Sequence, residues 1–268
     1  MSRENGGTRA SDGGVQSVDR ALRVLEILAR NGETGVSAIA AEIGVHKSTV
    51  FRLLESLEDH ELVAQTYDRG KYRLSLGILR LAAAVPERLE VTEQGHAVCE
   101  RLAAKLGETV NVAVLRSHFA INLDQARGPA AIGTHNWIGE PTPLHATSSG
   151  KILLAYLDPK RRHAVLRAAG LERFTARTIK SIKQLDEELE SAKRDGYAVV
   201  AEEYEEGLNA IAAPIRDYAG QTVAALSVSG PVYRFTEERM RAAAPDVMAA
   251  AAEISERMGF RDRRTPTA

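Results

Sequence analysis

Six residues close together in the stretch VSAIAAEIGVHKSTVFRLLESL, residues 36–57, could contact nucleic acid. The pattern predicts that they point outward from the start of a helix; they are His46, Lys47, Ser48, Thr49, Phe51 and Arg52. Ammonium and guanidinium groups bind phosphate oxygens, and hydroxyl and guanidinium groups also hydrogen-bond to base edges. In a helix-turn-helix, the first turns of the second helix enter the major groove. We therefore expect this stretch to bind duplex DNA.

The apolar residues of the same stretch have the spacing of a helix-turn-helix. Ala40 allows two helices to approach closely, and Gly44 follows at the turn, where a positive φ favours glycine. The inward face is completed by Ile39, Val45, Val50 and Leu53. A helical hairpin inside a core would share this apolar pattern, but it would not need the polar outer face. We therefore favour DNA binding over the hairpin.

The flanking residues predict a winged helix. Ser17 is expected to cap a helix over residues 18–31 that ends before Gly32. This helix should bury one stripe, formed by Val18, Ala21, Leu22, Leu25 and Leu28. Residues 62–67 and 71–74 are predicted strands, joined by a turn at residues 68–70. Arg69 and Lys71 would lie at the wing tip, where they either contact DNA or only keep the hairpin soluble.

Composition favours two folded domains in a reducing compartment. The chain has 268 residues, of which 44% are hydrophobic and 26% charged, as in ordinary globular proteins. Cys99 is its only cysteine, so a disulfide within the chain is impossible. The first residues, MSRENGGTRASDGG, lack the apolar segment of a signal peptide, and no apolar run is long enough to span a bilayer. We expect a cytoplasmic protein that does not contact the membrane.

Charge limits how strongly one copy of the chain can bind DNA. The net charge is −1, and residues 15–75 contain eight Lys or Arg against nine Asp or Glu. DNA-binding domains are often strongly basic. The positive surface is therefore small and confined to the start of the second helix and to the wing tip. We expect a dimer to be needed to sum the phosphate contacts.

The chain lacks the motifs of common catalytic and metal sites. A phosphate-binding loop ending at Gly150-Lys151 would need glycine where His145 stands and a hydroxyl residue in place of Ile152. No Gly-x-Ser-x-Gly or HExxH pattern occurs, and Cys99 is expected to be a packing residue. We expect neither a cofactor nor a metal. Four acids are expected to form a solvated, flexible loop rather than a catalytic pair: Glu202, Glu203, Glu205 and Glu206.

The remainder of the chain mixes helices with strands. Residues 76–85 predict a short apolar helix ended by Pro86, which packs against the same segment of a second chain or against its own wing. Further helices are predicted at residues 87–106, after residues 148, 159 and 181, and at residues 237–258. Strands are predicted at residues 109–115, 120–126, 197–201, 210–216 and 222–228. The hairpin connections favour an antiparallel α+β sheet domain.

Several stretches of the chain resemble the IclR family of bacterial transcription regulators. They are SVDRALRVLEIL, KSTVFRLLESLE, PLHATSSGKILLAYL, and EEGLNAIAAPIRD followed by ALSVSGP, and the likeness extends over residues 16–260. The resemblance implies an N-terminal winged helix-turn-helix, a linker helix and a C-terminal effector domain similar to the GAF fold. It also implies dimers, often paired into tetramers, that bind palindromic operators.

The resemblance also implies roles for individual residues. Lys47, Ser48, Thr49 and Arg52 match the DNA-contacting helix of the family, whereas His46 stands where many members have proline. The implied effector pocket contains the loop residues Ser148, Ser149 and Gly150 and a strand with Leu208, Asn209 and Ala210. We add Thr147, Ser227 and Ser229 as candidate lining residues. Many members have Arg-Cys where this chain has Asn209-Ala210, a change that enlarges the pocket and adds an amide group.

The residue types of this region fit a pocket for a small anion. Ser148 and Ser149 open a predicted helix, whose free N–H groups favour a carboxylate, although the two serines could instead merely cap the helix. Ser227 and Ser229 face one side of a strand, either in the pocket or at the surface. The change to Asn209-Ala210 indicates a ligand larger than the glyoxylate or pyruvate that some family members bind, and one that bears a carboxylate or ureide group.

The sequence therefore predicts an α+β protein with an N-terminal winged helix-turn-helix and a C-terminal GAF-like effector-binding domain built on an antiparallel sheet. The expected division is a disordered tail (1–14), DNA-binding domain (15–75), linker helix (76–86), effector-binding domain (87–260) and second tail (261–268). We predict a homodimeric or homotetrameric repressor of a catabolic operon that binds a palindromic operator in double-stranded DNA and is released by a small organic acid or ureide. The alternatives are an activator of the same architecture and a DNA-tethered enzyme acting on a small acid; we expect no enzyme.

Overall fold

The computed structural model describes residues 15–67, 70–83, 86–129 and 136–261 of the chain. Its contacts divide the chain into two compact units, with the boundary after Pro86. The tail expected at residues 1–14, and all but the first residue of the tail expected at residues 261–268, lie outside the described residues. In the part of the chain that the structure describes, no helix has the length and apolar character needed to cross a membrane.

The N-terminal unit packs three helices against a small antiparallel sheet. Its elements are α1 (Gln16–Asn31), β1 (Thr34–Gly35), α2 (Val36–Ile43), α3 (Lys47–Asp59), β2 (Val63–Gln65) and β3 (Lys71–Leu74). β3 is the central strand and pairs antiparallel with both β1 and β2. The predicted hairpin is therefore present, but β1 was not predicted, because two residues are too few to show a periodic pattern. The core includes Val24, Leu28, Ile39, Val50, Leu54 and Tyr72.

Two details of α1 differ from the sequence prediction. The helix begins at Gln16 after Val15, with no side-chain cap, so the predicted cap at Ser17 is wrong. Val18 and Leu22 are 54% and 55% exposed, whereas the unpredicted Val24 is fully buried. Two overlapping apolar stripes of this helix satisfy the same three- and four-residue spacing, and only tertiary packing selects between them. The C-terminal end is as predicted, because Gly32 follows the helix with a φ of 69°.

The segment after the wing contains two helices, α4 (Gly77–Ala83) and α5 (Pro86–Leu106). Pro86 is the first residue of α5, so the prediction that it only ends the preceding helix missed its role. Proline is favoured at the first helical position, where its missing N–H would have no helical partner. Leu76, Leu79 and Leu81 are between 60% and 75% exposed. The apolar surface expected in this segment is therefore present, and much of it is open.

The C-terminal unit is built on a six-stranded antiparallel sheet. Its strands are β4 (Thr109–Arg116), β5 (Phe119–Ala126), β6 (Pro141–Pro143), β7 (Ala198–Ala201), β8 (Leu208–Arg216) and β9 (Thr222–Pro231), and their spatial order is β6-β5-β4-β9-β8-β7. The helices are α6 (Ser148–Ala155), α7 (Pro159–Ala169), α8 (Ile182–Asp195) and α9 (Glu237–Arg257). Strand β6 lies in a region predicted as a loop, because its two prolines give no strand pattern.

Side chains of the strands alternate between the two faces of the sheet, and each face packs into its own hydrophobic core. Val110, Val112 and the other residues of one face pack with α5 and α9, where Cys99 is fully buried. Burial raises the pKa of the Cys99 thiol to about 12, so it stays protonated and acts as a packing residue. The opposite face carries small residues, including Ala113 and Ala225, against α6 and α8. These alanines allow α6 to lie close to the sheet.

Candidate functional site

A tight turn joins α2 to α3. Gly44 has a φ of 77°, as the sequence predicted, and its N–H donates to the carbonyl of Ala40 at 3.0 Å. The N–H of Val45 donates to the same carbonyl at 3.1 Å, so the carbonyl of Ala40 accepts two hydrogen bonds at the C-terminal end of α2. His46 has an extended backbone and does not cap with its side chain, yet its carbonyl accepts from Thr49 N–H at 2.9 Å. Helix α3 therefore begins at Lys47.

The first two turns of α3 present a polar face to solvent. His46, Lys47, Ser48 and Arg52 are exposed, and Thr49 is half-buried. Lys47 and Arg52 form no ion pair or hydrogen bond with any other described residue. These two cations in adjacent turns of α3 therefore have no anionic partner among the described residues. Both are available to bind an anion such as a phosphate group.

An apolar side chain lies beside these cations. Phe51 is 51% exposed, whereas Val50 and Leu54 on the inner face of α3 are fully buried. Leu54 takes the fully buried position that the sequence assigned to Leu53, which is only partly buried. The exposed ring of Phe51 can contact the methyl group of thymine, which lies at the edge of the major groove.

The wing is described only in part. Arg69, predicted at its tip, lies outside the described residues. Lys71 is exposed at the start of β3, where it pairs with Gly35 of β1. The described strands therefore place Lys71 at the end of the sheet nearest the turn.

The start of α6 is enclosed rather than exposed. Thr147 caps this helix: its hydroxyl accepts from Gly150 N–H at 3.2 Å and donates to the carbonyl of Pro143 at 2.7 Å. The alternative that Ser148 and Ser149 cap the helix is therefore wrong. Both serines are buried, and within the described ranges no residue accepts a hydrogen bond from their backbone N–H groups.

A cavity of about 60 Å³ adjoins this helix start. It has room for several water-sized groups, and thus for a small organic molecule. The structure brings most of the predicted pocket residues together in its wall: Thr147, Ser148, Ser149, Leu208, Ala210, Ser227 and Ser229. Ser229 lies opposite Ala210 in the sheet, which explains how the pocket stretches on β8 and β9 meet.

Two predicted pocket residues do not line the cavity. Asn209 faces the other side of β8, where its Nδ2 donates to the carbonyl of Phe235 at 2.8 Å. Because side chains alternate along a strand, Asn209 lies on the face opposite to that of Leu208 and Ala210. Gly150 is a packing position, since a Cβ there would lie 2.4 Å from the carbonyl oxygen of Leu144.

The floor of the cavity contains two amides that the sequence analysis missed. Asn111 lies opposite Ser227 on the adjacent strand, and Asn122 lies on β5. The side-chain oxygen of Asn111 is buried without a hydrogen-bond partner in the described structure. An asparagine within the apolar run Val-Asn-Val-Ala-Val was the available signal, because a buried polar group in a strand needs a partner.

Aromatic rings form one wall of the cavity. Trp137 and Tyr204 line it with ring centroids 6.0 Å apart, and Phe174 meets Tyr204 edge-on at 5.1 Å. His145 continues this cluster, 5.9 Å from Phe174. Burial lowers the pKa of His145, whose Nε2 lies 2.9 Å from the carbonyl oxygen of Glu172. The wall is therefore neutral and suited to contact with a planar ligand.

A buried ion pair connects α6 to the acidic loop of residues 202–206. Lys151 is 1% exposed, and its ammonium donates to Glu203 at 2.6 Å and to Glu188 of α8 at 2.5 Å. Glu203 is buried, so the expectation of a wholly solvated, flexible acidic loop is wrong. The same loop contributes Tyr204 and Glu205 to the cavity. The ion pair thus holds two walls of the cavity together.

Comparison with known proteins identifies both units. The model of the IclR helix-turn-helix domain matches residues 17–66. The model described as the bacterial transcriptional regulator IclR C-terminal domain matches residues 83–256. The chain is also 34% identical over 249 residues to the HTH-type transcriptional repressor AllR of Salmonella paratyphi A, covering 92% of each protein.

Solved structures show the same architecture. The IclR protein of Thermotoga maritima has a TM-score of 0.77 at 28% identity, covering 91% of this chain and 99% of that one. An IclR homologue from Microbacterium hydrocarbonoxydans, in complex with 4-hydroxybenzoate, has a TM-score of 0.73 at 26% identity, with 91% and 99% covered. With the two family models, these likenesses show that the chain belongs to the IclR family of bacterial transcriptional regulators.

Proposed function

We propose that the protein is an effector-controlled repressor that binds a palindromic operator in double-stranded DNA and is released from it by a small carboxylate- or ureide-bearing molecule. The observation that supports DNA binding best is the pair of uncompensated cations, Lys47 and Arg52, on the exposed start of α3. The likeness to the AllR repressor supports repression rather than activation. We place this activity in the cytoplasm.

The DNA contacts that we propose come from two parts of the N-terminal unit. The first two turns of α3 would enter the major groove, with His46, Ser48, Thr49 and Phe51 beside the two cations. Lys71 and Arg69 of the wing would contact the flanking backbone. These contacts are few, and the net charge of the chain is only −1, so one copy would bind weakly.

We therefore propose that the protein acts as a homodimer or homotetramer. The exposed leucines at positions 76, 79 and 81 offer apolar surface that a second copy could bury. Two copies would place two α3 helices on successive major grooves, roughly 34–36 Å apart. A palindromic operator follows from that two-fold symmetry.

The effector would bind in the cavity beside α6. Its carboxylate would accept hydrogen bonds from the N–H groups of Ser148 and Ser149, which have no acceptor among the described residues. Ser227 and Ser229 would complete the polar wall, and the rings of Trp137 and Tyr204 would exclude water. Such a ligand can release DNA only if it binds the DNA-free arrangement more tightly than the DNA-bound one.

Selection of DNA by the full-length protein tests the first half of this proposal. Random-sequence duplexes are incubated with the protein, and the bound fraction is amplified and sequenced over several rounds. We expect enrichment of an inverted repeat whose half-sites lie about one helical turn apart. Absence of enrichment, or enrichment of a single unpaired half-site, contradicts the proposed mode of binding.

A thermal-shift screen of the same protein tests the second half. Small keto acids, ureides and aromatic acids such as 4-hydroxybenzoate are added separately, because a ligand that binds only the folded state raises the melting temperature. A true effector should also displace the selected duplex, and mass spectrometry should recover it unchanged. Tighter DNA binding with ligand would instead indicate an activator or co-repressor mechanism, and turnover would indicate an enzyme.

A further inference from the structure

We propose that Asn111 determines which small acid this protein binds, by recognising an amide or ureide group of the ligand. The inference rests on the proposed function, in which the cavity beside α6 holds a small carboxylate. It adds the residue responsible for selectivity and the group that this residue recognises.

The side-chain amide of Asn111 is buried, and its Oδ1 lacks a hydrogen-bond partner among the described residues. Asn111 is 5% exposed, lines the cavity and lies directly opposite Ser227 in the sheet. A buried amide without a partner destabilises a protein, so such a group calls for a bound partner. Because Asn111 lines the cavity, a ligand bound there is the group that can approach its side-chain amide.

The chemistry of the amide limits what that partner can be. An asparagine side chain offers an acceptor oxygen and two N–H donors in one plane. A primary amide or ureide presents the complementary donor and acceptor in one plane, whereas a ketone presents only an acceptor. Asn122 adds a second amide to the same cavity. A ligand with N–H donors therefore forms more hydrogen bonds with these two side-chain amides than a plain keto acid does.

The charges of the wall favour the same class of ligand. Among the described lining residues, Glu205 is the only one with a charged side chain, and no lysine or arginine is present. The carboxylate of a ligand must then be held by the helix start at Ser148 and Ser149. Glu205 disfavours a second carboxylate and can accept from an N–H group. Monocarboxylates with an amide or ureide thus fit better than dicarboxylates.

Matched ligand pairs test this inference on the full-length protein. N-carbamoylglycine and levulinate have the same arrangement of heavy atoms, but the N–H groups of the first are CH groups in the second. Oxamate and pyruvate form a shorter pair of the same kind. Isothermal titration should show the N–H member of at least one pair binding about tenfold tighter or more, since a site built to donate and accept rejects the analogue that cannot.

Substitutions assign that preference to Asn111. In Asn111→Leu, which keeps the number and branching of the side-chain heavy atoms, the preference should fall to nearly one, mainly through weaker binding of the N–H ligand. Thr109→Val changes the same face of the same strand outside the cavity wall and should keep the wild-type preference. Should Asn111→Leu fail to fold, Asn111→Ser removes the amide with less apolar bulk and should lose the preference as well.

The outcomes separate this inference from the proposed function. Equal affinity within both pairs, or a preference that survives in both Asn111 variants, overturns the role of Asn111 while leaving an acid-binding cavity. Binding of 4-hydroxybenzoate alone, with none of the four acids bound, also overturns it. If no acid in the wider thermal-shift screen binds, the proposed effector control fails, and the inference fails with it.

Discussion

Two helix starts in this protein carry similar residue types in opposite surroundings. Helix α3 begins with exposed Lys47 and Ser48, whereas α6 begins with buried Ser148 and Ser149. The first lacks a side-chain cap and presents free cations, while the second is capped by Thr147 and has no cation among the described residues of the adjoining cavity. Both leave N–H groups at a helix N-terminus, which favours an anion.

The difference between them decides the size of the partner. An open surface with exposed cations suits an extended polyanion such as DNA, whose affinity then depends on salt. At the start of α6 the cation Lys151 is instead buried and paired with Glu203 and Glu188. This enclosed helix start excludes a polymer but can hold a single carboxylate through fixed N–H donors. Surroundings, rather than residue type alone, therefore distinguish the two sites.

The largest effect is expected from the buried ion pair that supports α6. Lys151→Ala leaves the carboxylate of Glu203 buried without its cation, and should lower the free energy of unfolding by about 3–5 kcal/mol. Lys105→Ala is the matched control, because Lys105 is 62% exposed in its pair with Asp246 and such pairs contribute about 1 kcal/mol or less. Urea denaturation measures both, and equal effects would contradict the structural role of Lys151.

A large but more local effect is expected from filling the cavity. Ser149→Trp introduces a ring into a buried wall position and should abolish the ligand-induced thermal shift, while binding of the selected duplex without ligand stays intact. Ser149→Ala, which changes only the hydroxyl, should retain a measurable shift. If the Ser149→Trp variant still releases DNA on addition of the effector, the ligand binds elsewhere.

A smaller effect is expected from His145, which lies just before the cap of α6. Its pKa is below the ordinary value of 6.5 because of burial, so the folded state binds its proton less readily than the unfolded state. The contribution of this neutral histidine to stability is therefore present above pH 6.5 and is lost as the pH falls through 6.5 towards its lower native pKa. His145→Gln keeps a donor for Glu172 and should make the decline of melting temperature with acid shallower; an unchanged pH profile would contradict this assignment.

The sequence was most informative where local geometry alone decides the structure. The turn at Gly44 and the outward face of α3 follow from helical spacing and from the conformational freedom of glycine. The pocket position of Ser148 came with the family resemblance, and those of Ser227 and Ser229 came from their alternation along a strand; all three line one cavity in the structure.

The remainder depends on contacts between distant segments, which periodicity cannot supply. Alternate residues of β8 face opposite sides of the sheet, and only the side that faces α6 can line the cavity. The stretch around Asn209 mixes polar and apolar residues, so the sequence does not show which side Asn209 occupies. Asn111 and Glu203 are buried by elements far away in the chain, so their surroundings are invisible locally. Val18 and Leu22 have core spacing, yet the N-terminal unit leaves them exposed.

The most direct test of the account is the salt dependence of DNA binding by the Lys47→Ala/Arg52→Ala double variant. Fluorescence anisotropy with the selected duplex over about 50–200 mM salt should show a loss of affinity of about tenfold or more, and a slope smaller by about one counterion per subunit for each cation that contacts a phosphate. Lys160→Ala, which removes an exposed cation of the C-terminal unit, should leave both quantities unchanged. Wild-type affinity and slope in the double variant would contradict the claim that the exposed start of α3 contacts DNA.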